Sequence, residues 1–161
     1  MNVFKRSNVS VKFVRDIDRN KRNPAMVLSR MVSELKTTRL EKNDEAWVII
    51  DVDTWPQEEI DECIAWAASK RNYYIAISNP KIELFLVMHY ESGNGCTTAE
   101  RVDAAIKRHM PAYGKRLSPT HFDEAKIQFA VENASKKRAT CHDDMPAPGV
   151  TDFHLLVEKL F

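Results

Sequence analysis

The sequence predicts a single α/β domain over residues 1–161, with a parallel sheet in β-α-β-α-β order, flanking helices and a helical C-terminal part. Short segments rich in β-branched and aromatic residues alternate with longer segments whose apolar positions follow the helical period. Residues 47–50 are apolar without alternation, which is typical of a strand covered on both faces. A chain of 161 residues is long enough for one sizeable core.

The first half of the chain supplies the predicted sheet. Its three predicted strands are residues 9–14, 47–50 and 73–77. Asn23 as a capping residue and Pro24 as the first helical residue predict a helix before the central strand. Pro56 predicts the start of a second helix after that strand. Helices between successive strands favour parallel pairing with right-handed crossovers.

The second half is predicted to be mostly helical. Ser78 as a cap and the early Pro80 are predicted to lead directly into an apolar helix that reaches Tyr90. Thr97 and Glu100 match a capping box before another apolar helical pattern. Two further helices are predicted over residues 121–137 and 152–161, joined through a loop at 139–150 that contains two prolines and a glycine.

The composition limits the function classes without selecting one. A net charge of +1 gives no global attraction to polyanions. We interpret the basic runs as solvated faces; they are residues 5–6, 19–22, 107–108, 115–116 and 136–138. Three widely spaced cysteines favour a reducing cytoplasm over disulfides or a zinc cluster. No export signal or long apolar run is visible, so we expect a cytoplasmic protein with no membrane partner.

Two aspartates follow the central predicted strand. Asp51 and Asp53 leave the strand on the same side at its carboxyl end, where open α/β sheets bind ligands. Two carboxylates about 5 Å apart repel by roughly 3 kcal/mol at an effective dielectric of about 20, and a hard cation such as Mg²⁺ relieves this repulsion. The alternative is that an Asp at the strand end caps the helix that begins near Pro56.

Glu83 is the third candidate ligand. It lies near the first turn of the helix that begins at the same edge, where the helix dipole alone favours a carboxylate. Its neighbours at 82 and 84–86 are apolar, however, and a charge among apolar residues is normally paired or bound to a metal. His89 follows six residues later, which is not ligand spacing on a helix, so we interpret it as a core or supporting residue.

Three blocks of the sequence resemble the RloB-like family. The blocks are Trp-Val-Ile-Ile-Asp-Val-Asp at 47–53, Ile-Ser-Asn-Pro-Lys-Ile-Glu-Leu-Phe-Leu-Val-Met-His-Tyr at 77–90 and Thr-Asp-Phe-His-Leu-Leu-Val-Glu at 151–158. The resemblance extends from about residue 9 to the C-terminus, and the Ser-Asn-Pro block is its most specific part. Members of this family are bacterial and archaeal proteins related to the Toprim fold, often found near restriction or abortive-infection loci.

The resemblance implies a Toprim-like core and a metal-dependent nuclease of prokaryotic phage defence. Asp51 and Asp53 match the family's Asp-x-Asp, and Glu83 matches the glutamate of the Ser-Asn-Pro block. These three residues are then the catalytic metal ligands, with Mg²⁺ or Mn²⁺ assisting phosphodiester hydrolysis in DNA or RNA. The supporting residues around them are expected to be Ser78, Asn79, His89 and His154. For His154, closing the site and simple packing both stay open.

One acidic motif of the family has no counterpart here. Members usually begin with a strand and a motif resembling Glu-Gly-x-x-Thr-Glu, some tens of residues before the segment that matches residues 9–14. Residues 1–7 contain no carboxylate, and Asp16 and Asp18 follow that segment. We therefore expect weak Mg²⁺ binding and low nuclease activity, and self-association through the sheet edge that the strand would cover. The alternatives are an internal-start or truncated chain and a degenerate family member.

Two other function classes stay open. One is a non-catalytic module that docks on nucleic acid or on a partner ATPase. The other is a haloacid-dehalogenase-like phosphatase, whose nucleophilic Asp also belongs to an Asp-x-Asp motif. In that class Trp55 occupies the position of a usual Thr or Val, and Ser78 would have to bind phosphate. Residues 142–144, His-Asp-Asp, lack an apolar strand before them and are interpreted as a charged loop.

Overall fold

A computed structural model describes residues 9–14, 23–52, 54–114, 117–118 and 121–160. In chain order, the helices and strands are α1 (Pro24–Thr37), β1 (Ala46–Asp51), α2 (Gln57–Ala68), β2 (Tyr73–Asn79), α3 (Glu83–Met88), α4 (Ala99–His109), α5 (Glu124–Arg138), β3 (Val150–Thr151) and α6 (Phe153–Leu160). Asp53 and the basic runs at 5–6, 19–22 and 115–116 lie outside the described residues. The mixed α/β class and the helical C-terminal part are confirmed.

The described sheet has three strands in the order β1-β2-β3. β1 and β2 run parallel, with Ala46 opposite Tyr73 and Asp51 opposite Ser78. β3 is antiparallel to β2 and places Thr151 opposite Ser78. The sheet is therefore mixed, with one β-α-β unit through α2, and the predicted run of three parallel strands is wrong within the described residues.

Residues 9–14 form no strand. Val9, Val11 and Phe13 are 47%, 44% and 77% exposed, so the apolar side of the alternating pattern packs against no core. Lys12 instead forms an ion pair with Glu34 of α1. Alternation predicts which side chains share a face, but a strand also requires a neighbouring backbone with which to exchange hydrogen bonds. That neighbour is missing within the described part of the chain.

The segment after β2 differs from its predicted helix. Ser78 and Asn79 belong to β2, and α3 covers only Glu83–Met88, so the predicted helix cap at Ser78 is wrong. The cause is β3, which pairs with Ser78 and Asn79 and lies at the end of the predicted loop 139–150. A two-residue strand is too short to show alternation, so the sequence pattern does not reveal it.

The remaining predicted helices are confirmed with small shifts at their ends. Asn23 caps α1 by accepting the N–H of Met26 at 3.2 Å. The cap of α4 is Thr98, one residue later than the predicted capping box, and its side chain accepts the N–H of Arg101. Asp123 caps α5 at a distance of 2.8 Å from the nitrogen of Lys126. No helix among the described residues is both long and apolar enough to cross a membrane.

Two apolar clusters hold these elements together. The first lies between β1, β2 and α2, and its fully buried members are Val48, Ile50, Ile60, Cys63 and Ile77. The second joins α3 to α4, α5 and α6 through a set that includes Leu84, Met88, Val102, Ala130 and Val157. Each buried aliphatic side chain of this size contributes about 1.5–3 kcal/mol. The carboxyl ends of β1 and β2 are thereby held beside the start of α3.

Candidate functional site

Asp51 links the end of β1 to the start of α3. Its Oδ1 accepts the backbone N–H of Ile82 at 2.8 Å. Ile82 directly precedes α3 and provides no side-chain cap of its own. An aspartate on a neighbouring strand therefore satisfies one of the N–H groups that a helix leaves without an internal partner. The sequence had suggested capping of the helix near Pro56, whereas the helix that Asp51 caps is α3.

Glu83 is the first residue of α3 and lies one residue beyond this contact. Its side chain is half-buried. Burial raises the pKa of the Tyr113 hydroxyl, and the carboxylates of Glu83 and Asp103 raise it further. Lys81 Nζ donates to Asp103 Oδ1 at 2.6 Å, which ties α4 to the same edge. Glu83 is therefore close enough to Tyr113 for its charge to act on that hydroxyl.

The structure brings together the backbone positions of Asp51 and Glu83, and Asp53 lies outside the described residues. Within the described ranges, which omit Asp53, no three His, Cys, Asp or Glu side chains form a group that could hold a metal ion. Carboxylate oxygens are hard ligands, and Mg²⁺ commonly uses one or two carboxylates with several waters. A carboxylate has about four lone-pair sites, so capping of Ile82 is compatible with metal ligation. The donor chemistry fits Mg²⁺ or Mn²⁺.

Ser78 lies opposite Asp51 in the β1–β2 register and is fully buried. Its Oγ forms a hydrogen bond of 2.7 Å with Oγ1 of Thr151, which is also fully buried. The backbone oxygen of Ser78 accepts the N–H of Val52 at 2.9 Å. Ser78 thus connects all three strands beside Asp51. A buried, paired hydroxyl does not suit the phosphate contact that a haloacid-dehalogenase-like phosphatase requires of it.

Asn79 holds the loop before β3 against the end of β2. Its side-chain amide donates to the oxygen of Pro146 at 2.9 Å, and its backbone oxygen accepts the N–H of Gly149 at 2.8 Å. Gly149 has φ +89°, a left-handed conformation that favours glycine. A Cβ at this position would also lie 3.4 Å from Cγ2 of Thr97. Asn79 is therefore a structural support of the edge.

The two predicted supporting histidines are both buried and bonded to backbone. Nδ1 of His89 donates to the oxygen of Phe85 at 2.8 Å, and Nδ1 of His154 donates to the oxygen of Thr151 at 3.1 Å. Burial lowers the pKa of both imidazoles. His89 caps the far end of α3, about 9 Å along the helix from Glu83. His154 lies closer to the sheet, three residues beyond the end of β3.

A buried ion pair between Arg138 and Asp152 was not predicted. Arg138 Nε donates to Asp152 Oδ1 at 2.6 Å, and the two side chains are 23% and 6% exposed. The same guanidinium donates to the oxygens of Cys141 and Asp143 at 2.7 and 2.8 Å. Burial raises the pKa of the Asp152 carboxyl, and Arg138 opposes this rise. The interpretation of residues 136–138 as a solvated face is therefore wrong for Arg138.

Asp152 also links this ion pair to the sheet, because its N–H donates to the oxygen of Ile77 at 2.8 Å. The sequence block that begins at Thr151 contains Asp152, yet nothing in the spacing reveals its partner fourteen residues earlier on α5. The charged loop at 142–144 is exposed, and its backbone oxygens contact Arg138. This arrangement agrees with the interpretation of the loop as a charged connection.

Comparison with known proteins gives one match. A family model described as RloB-like protein matches residues 2–160, nearly the whole chain. No curated protein and no solved structure matches it. The match covers the three sequence blocks at 47–53, 77–90 and 151–158. One described residue of each block, Asp51, Ser78 and Thr151, lies in the same row across β1, β2 and β3.

Proposed function

The chain belongs to the RloB-like family, and we propose that it is a Toprim-related, metal-dependent nuclease-like protein of prokaryotic antiviral defence. One observation carries the proposal: Asp51 Oδ1 accepts the N–H of Ile82, directly before Glu83. This contact joins two acidic positions from separate elements at the carboxyl edge of a parallel strand pair. Open α/β sheets commonly bind ligands at that edge.

Asp51, Asp53 and Glu83 are the proposed metal ligands and catalytic residues. A bound Mg²⁺ or Mn²⁺ would supply charge neutralisation at a phosphate and activation of water. The chain's own part is positional. The Ile82 N–H fixes one carboxylate oxygen of Asp51, and the Ser78–Thr151 hydrogen bond holds the adjacent strands in register. The proposed substrate is a phosphodiester of DNA or RNA.

We expect the activity of this chain alone to be low. Residues 1–161 contain no counterpart of the family's Glu-Gly-x-x-Thr-Glu motif, so two or three carboxylates are available at the edge. Such a site would leave most positions around Mg²⁺ to water and bind it weakly. Self-association and docking on a partner ATPase are part of the proposal. β1 is an edge strand of the described sheet, which supports edge pairing, and a strictly monomeric mass in light scattering would contradict self-association.

The nuclease proposal predicts slow cleavage that depends on Mg²⁺ or Mn²⁺ and on both placed carboxylates. DNA, structured RNA and tRNA are incubated with the protein, with EDTA as the blank. Asp51→Asn and Glu83→Gln should each reduce the rate at least about 100-fold, since even groups that only support a metal ligand commonly contribute 10–100-fold. Glu41→Gln, an exposed carboxylate before the amino end of β1, is the matched control and should leave the rate unchanged.

Cleavage that survives Asp51→Asn and Glu83→Gln would contradict the proposed site. If none of the three substrates is cleaved in a metal-dependent way, the nuclease hypothesis is contradicted and a non-catalytic binding module is favoured. That alternative has its own support, because Asp51 already caps α3 and so has a structural role without a metal. A covalent aspartyl adduct with a phosphate mimic would instead favour the phosphatase class.

A further inference from the structure

A surface on the helical side of the protein carries cations from two helices. Arg101 and Arg108 are seven residues apart on α4, so they share a face about 10 Å apart along the axis. Lys126 and Lys137 are eleven residues apart on α5 and also share a face, about 16 Å apart. Residues 91–97 lie between these two faces. We call this surface the α4–α5 groove.

Contacts from α4 define one wall of the groove. The Arg101 guanidinium donates to the oxygen of Gly95 at 3.3 Å and to Oγ1 of Thr97 at 3.4 Å. Arg108 donates to Oε1 of Glu91 at 2.9 Å, and its side chain is 60% exposed. Both arginines of α4 therefore extend over residues 91–97 while keeping contact with solvent.

Contacts from α5 define the other wall. Asn133 lies on the same face as Lys126 and Lys137, and its amide donates to the oxygens of Met88 and Glu91 at 3.1 and 3.4 Å. Lys126 Nζ lies 5.2 Å from the centre of the Tyr90 ring. These contacts turn the lysine-bearing face of α5 toward residues 88–91 from the side opposite α4.

The floor of the groove contacts both helices, because Glu91 accepts from Arg108 of α4 through its carboxylate and from Asn133 of α5 through its backbone oxygen. Burial is the largest cause that raises the pKa of the Cys96 thiol, and Glu91 adds to it, whereas Arg108, Lys137 and Arg101 lower it. These electrostatic effects agree with the contacts that place Arg101 and Arg108 over residues 91–97. Glu91 is the one carboxylate in residues 91–97, and it is bonded to Arg108 and His109.

An aromatic side chain adjoins the cations. Phe129 is 44% exposed on α5, three residues after Lys126 and four before Asn133. These spacings place it beside the lysine-bearing face. Surfaces that bind single strands combine spaced cations for the phosphates with exposed aromatic rings for the bases. A lipid headgroup or an acidic peptide would use the cations and leave the ring without a base to stack on.

We propose that the α4–α5 groove binds single-stranded nucleic acid, with Arg101, Lys126 and Lys137 contacting phosphates and Phe129 stacking on a base. This inference rests on the proposed function and identifies where its substrate is anchored. Asp103, on the opposite side of α4, pairs with Lys81 near Glu83. One helix, about 10–12 Å across with its side chains, therefore separates the groove from the candidate metal site. A nucleic-acid strand bound in the groove therefore has to pass only one end of α4 to reach the candidate metal site.

The test measures strand binding without any metal. Fluorescence anisotropy follows a labelled single strand of about 16 nucleotides, DNA or RNA, in EDTA across a salt series. Arg101→Gln/Lys137→Gln should lower the slope of log affinity against log salt by about 1.4, because each phosphate contact to a single strand contributes about 0.7. Phe129→Ala should weaken binding about tenfold, as expected for one lost base stack.

Lys36→Gln/Lys42→Gln is the matched control, since it removes the same charge from exposed positions far from the groove. An equal loss of slope in this control would overturn the proposal, as would absence of strand binding at low salt. Vesicles containing phosphatidylserine test the lipid source of phosphate. The proposal fails, and the groove is a lipid site, if three results occur together. The vesicles bind as tightly as the single strand, their binding depends on the same cations, and Phe129→Ala leaves it unchanged.

Asp51→Asn separates the two proposals. It should keep full strand binding in EDTA, because the groove does not use this carboxylate. Retained groove binding together with absent cleavage would refute the nuclease and leave the groove intact. If the protein cleaves in a metal-dependent way but the groove variants bind the single strand as tightly as the wild type, the groove proposal fails and the nuclease proposal stands.

Discussion

Replacing Arg138 with methionine is expected to lower the free energy of unfolding by about 3–5 kcal/mol, the usual cost of removing one partner of a buried ion pair. Asp152 is 6% exposed on its side chain, so the variant would bury a carboxylate without its cation. The guanidinium also holds the oxygens of Cys141 and Asp143. The variant therefore loosens the loop before β3 as well.

The pH dependence of this variant follows from the carboxyl of Asp152. Burial raises its pKa in the folded protein above the unfolded value, so the folded state binds this proton more tightly and stability grows as the pH falls through the folded pKa. Without Arg138 the folded pKa rises further, because the largest effect that opposes burial is lost. The deficit of Arg138→Met should be full at neutral pH and shrink as the pH falls and the carboxyl becomes protonated.

Urea unfolding at several pH values measures both effects. Arg138→Met/Asp152→Asn should recover much of the loss, because no buried charge is left unpaired. Lys136→Met, an exposed cation two residues earlier on α5, should change stability by no more than about 0.5 kcal/mol. A loss of similar size in Lys136→Met, or a deficit for Arg138→Met that does not depend on pH, would contradict the buried-pair account.

Two substitutions at Asp51 are expected to separate its structural role from its role as a metal ligand. Asp51→Asn keeps an oxygen that can accept the N–H of Ile82, so the free energy of unfolding should stay within about 0.5 kcal/mol of the wild type. The loss of charge should weaken Mn²⁺ binding by at least about 100-fold. Asp51→Ala removes the oxygen as well and should also lower the free energy of unfolding by about 1 kcal/mol.

Calorimetric titration with Mn²⁺ and urea unfolding in EDTA measure these two quantities separately. Glu41→Gln serves as the matched loss of one exposed carboxylate and should change neither. Equal Mn²⁺ affinities for the wild type and Asp51→Asn would mean that Asp51 is a helix cap only. A large loss of stability in Asp51→Asn would mean that the charge itself supports the fold.

The sequence predicts the elements whose signals are local. The apolar run of β1, the capped start of α1 at Asn23 and the apolar helical pattern of α4 depend on neighbours within a few residues, and all three are present. The carboxyl edge is predictable for the same reason, because parallel strands joined by a helix end on one side. This rule alone predicts that Asp51 and the start of α3 lie at one edge of the sheet.

The features that the sequence does not predict depend on partners far along the chain. Residues 9–14 alternate like a strand, but alternation does not provide a strand to pair with. β3 exists because Ser78 and Thr151 meet across 73 residues of sequence, and a two-residue strand has no pattern of its own. In the sequence Arg138 is one of three adjacent cations, and only the fold places Asp152 beside it. In each case the outcome depends on whether a partner far along the chain is present, which the local pattern does not encode.

We propose that Asp51 and Glu83 hold a divalent cation at the carboxyl edge of β1 and β2. Paramagnetic broadening of amide NMR signals by substoichiometric Mn²⁺ tests it most directly, because the effect falls steeply with distance from the ion. We expect the signals of Ser78, Ile82 and Glu83 to broaden first and Asp51→Asn to abolish this broadening. Broadening that starts at the loop 142–144, or that is the same in Asp51→Asn, would contradict it.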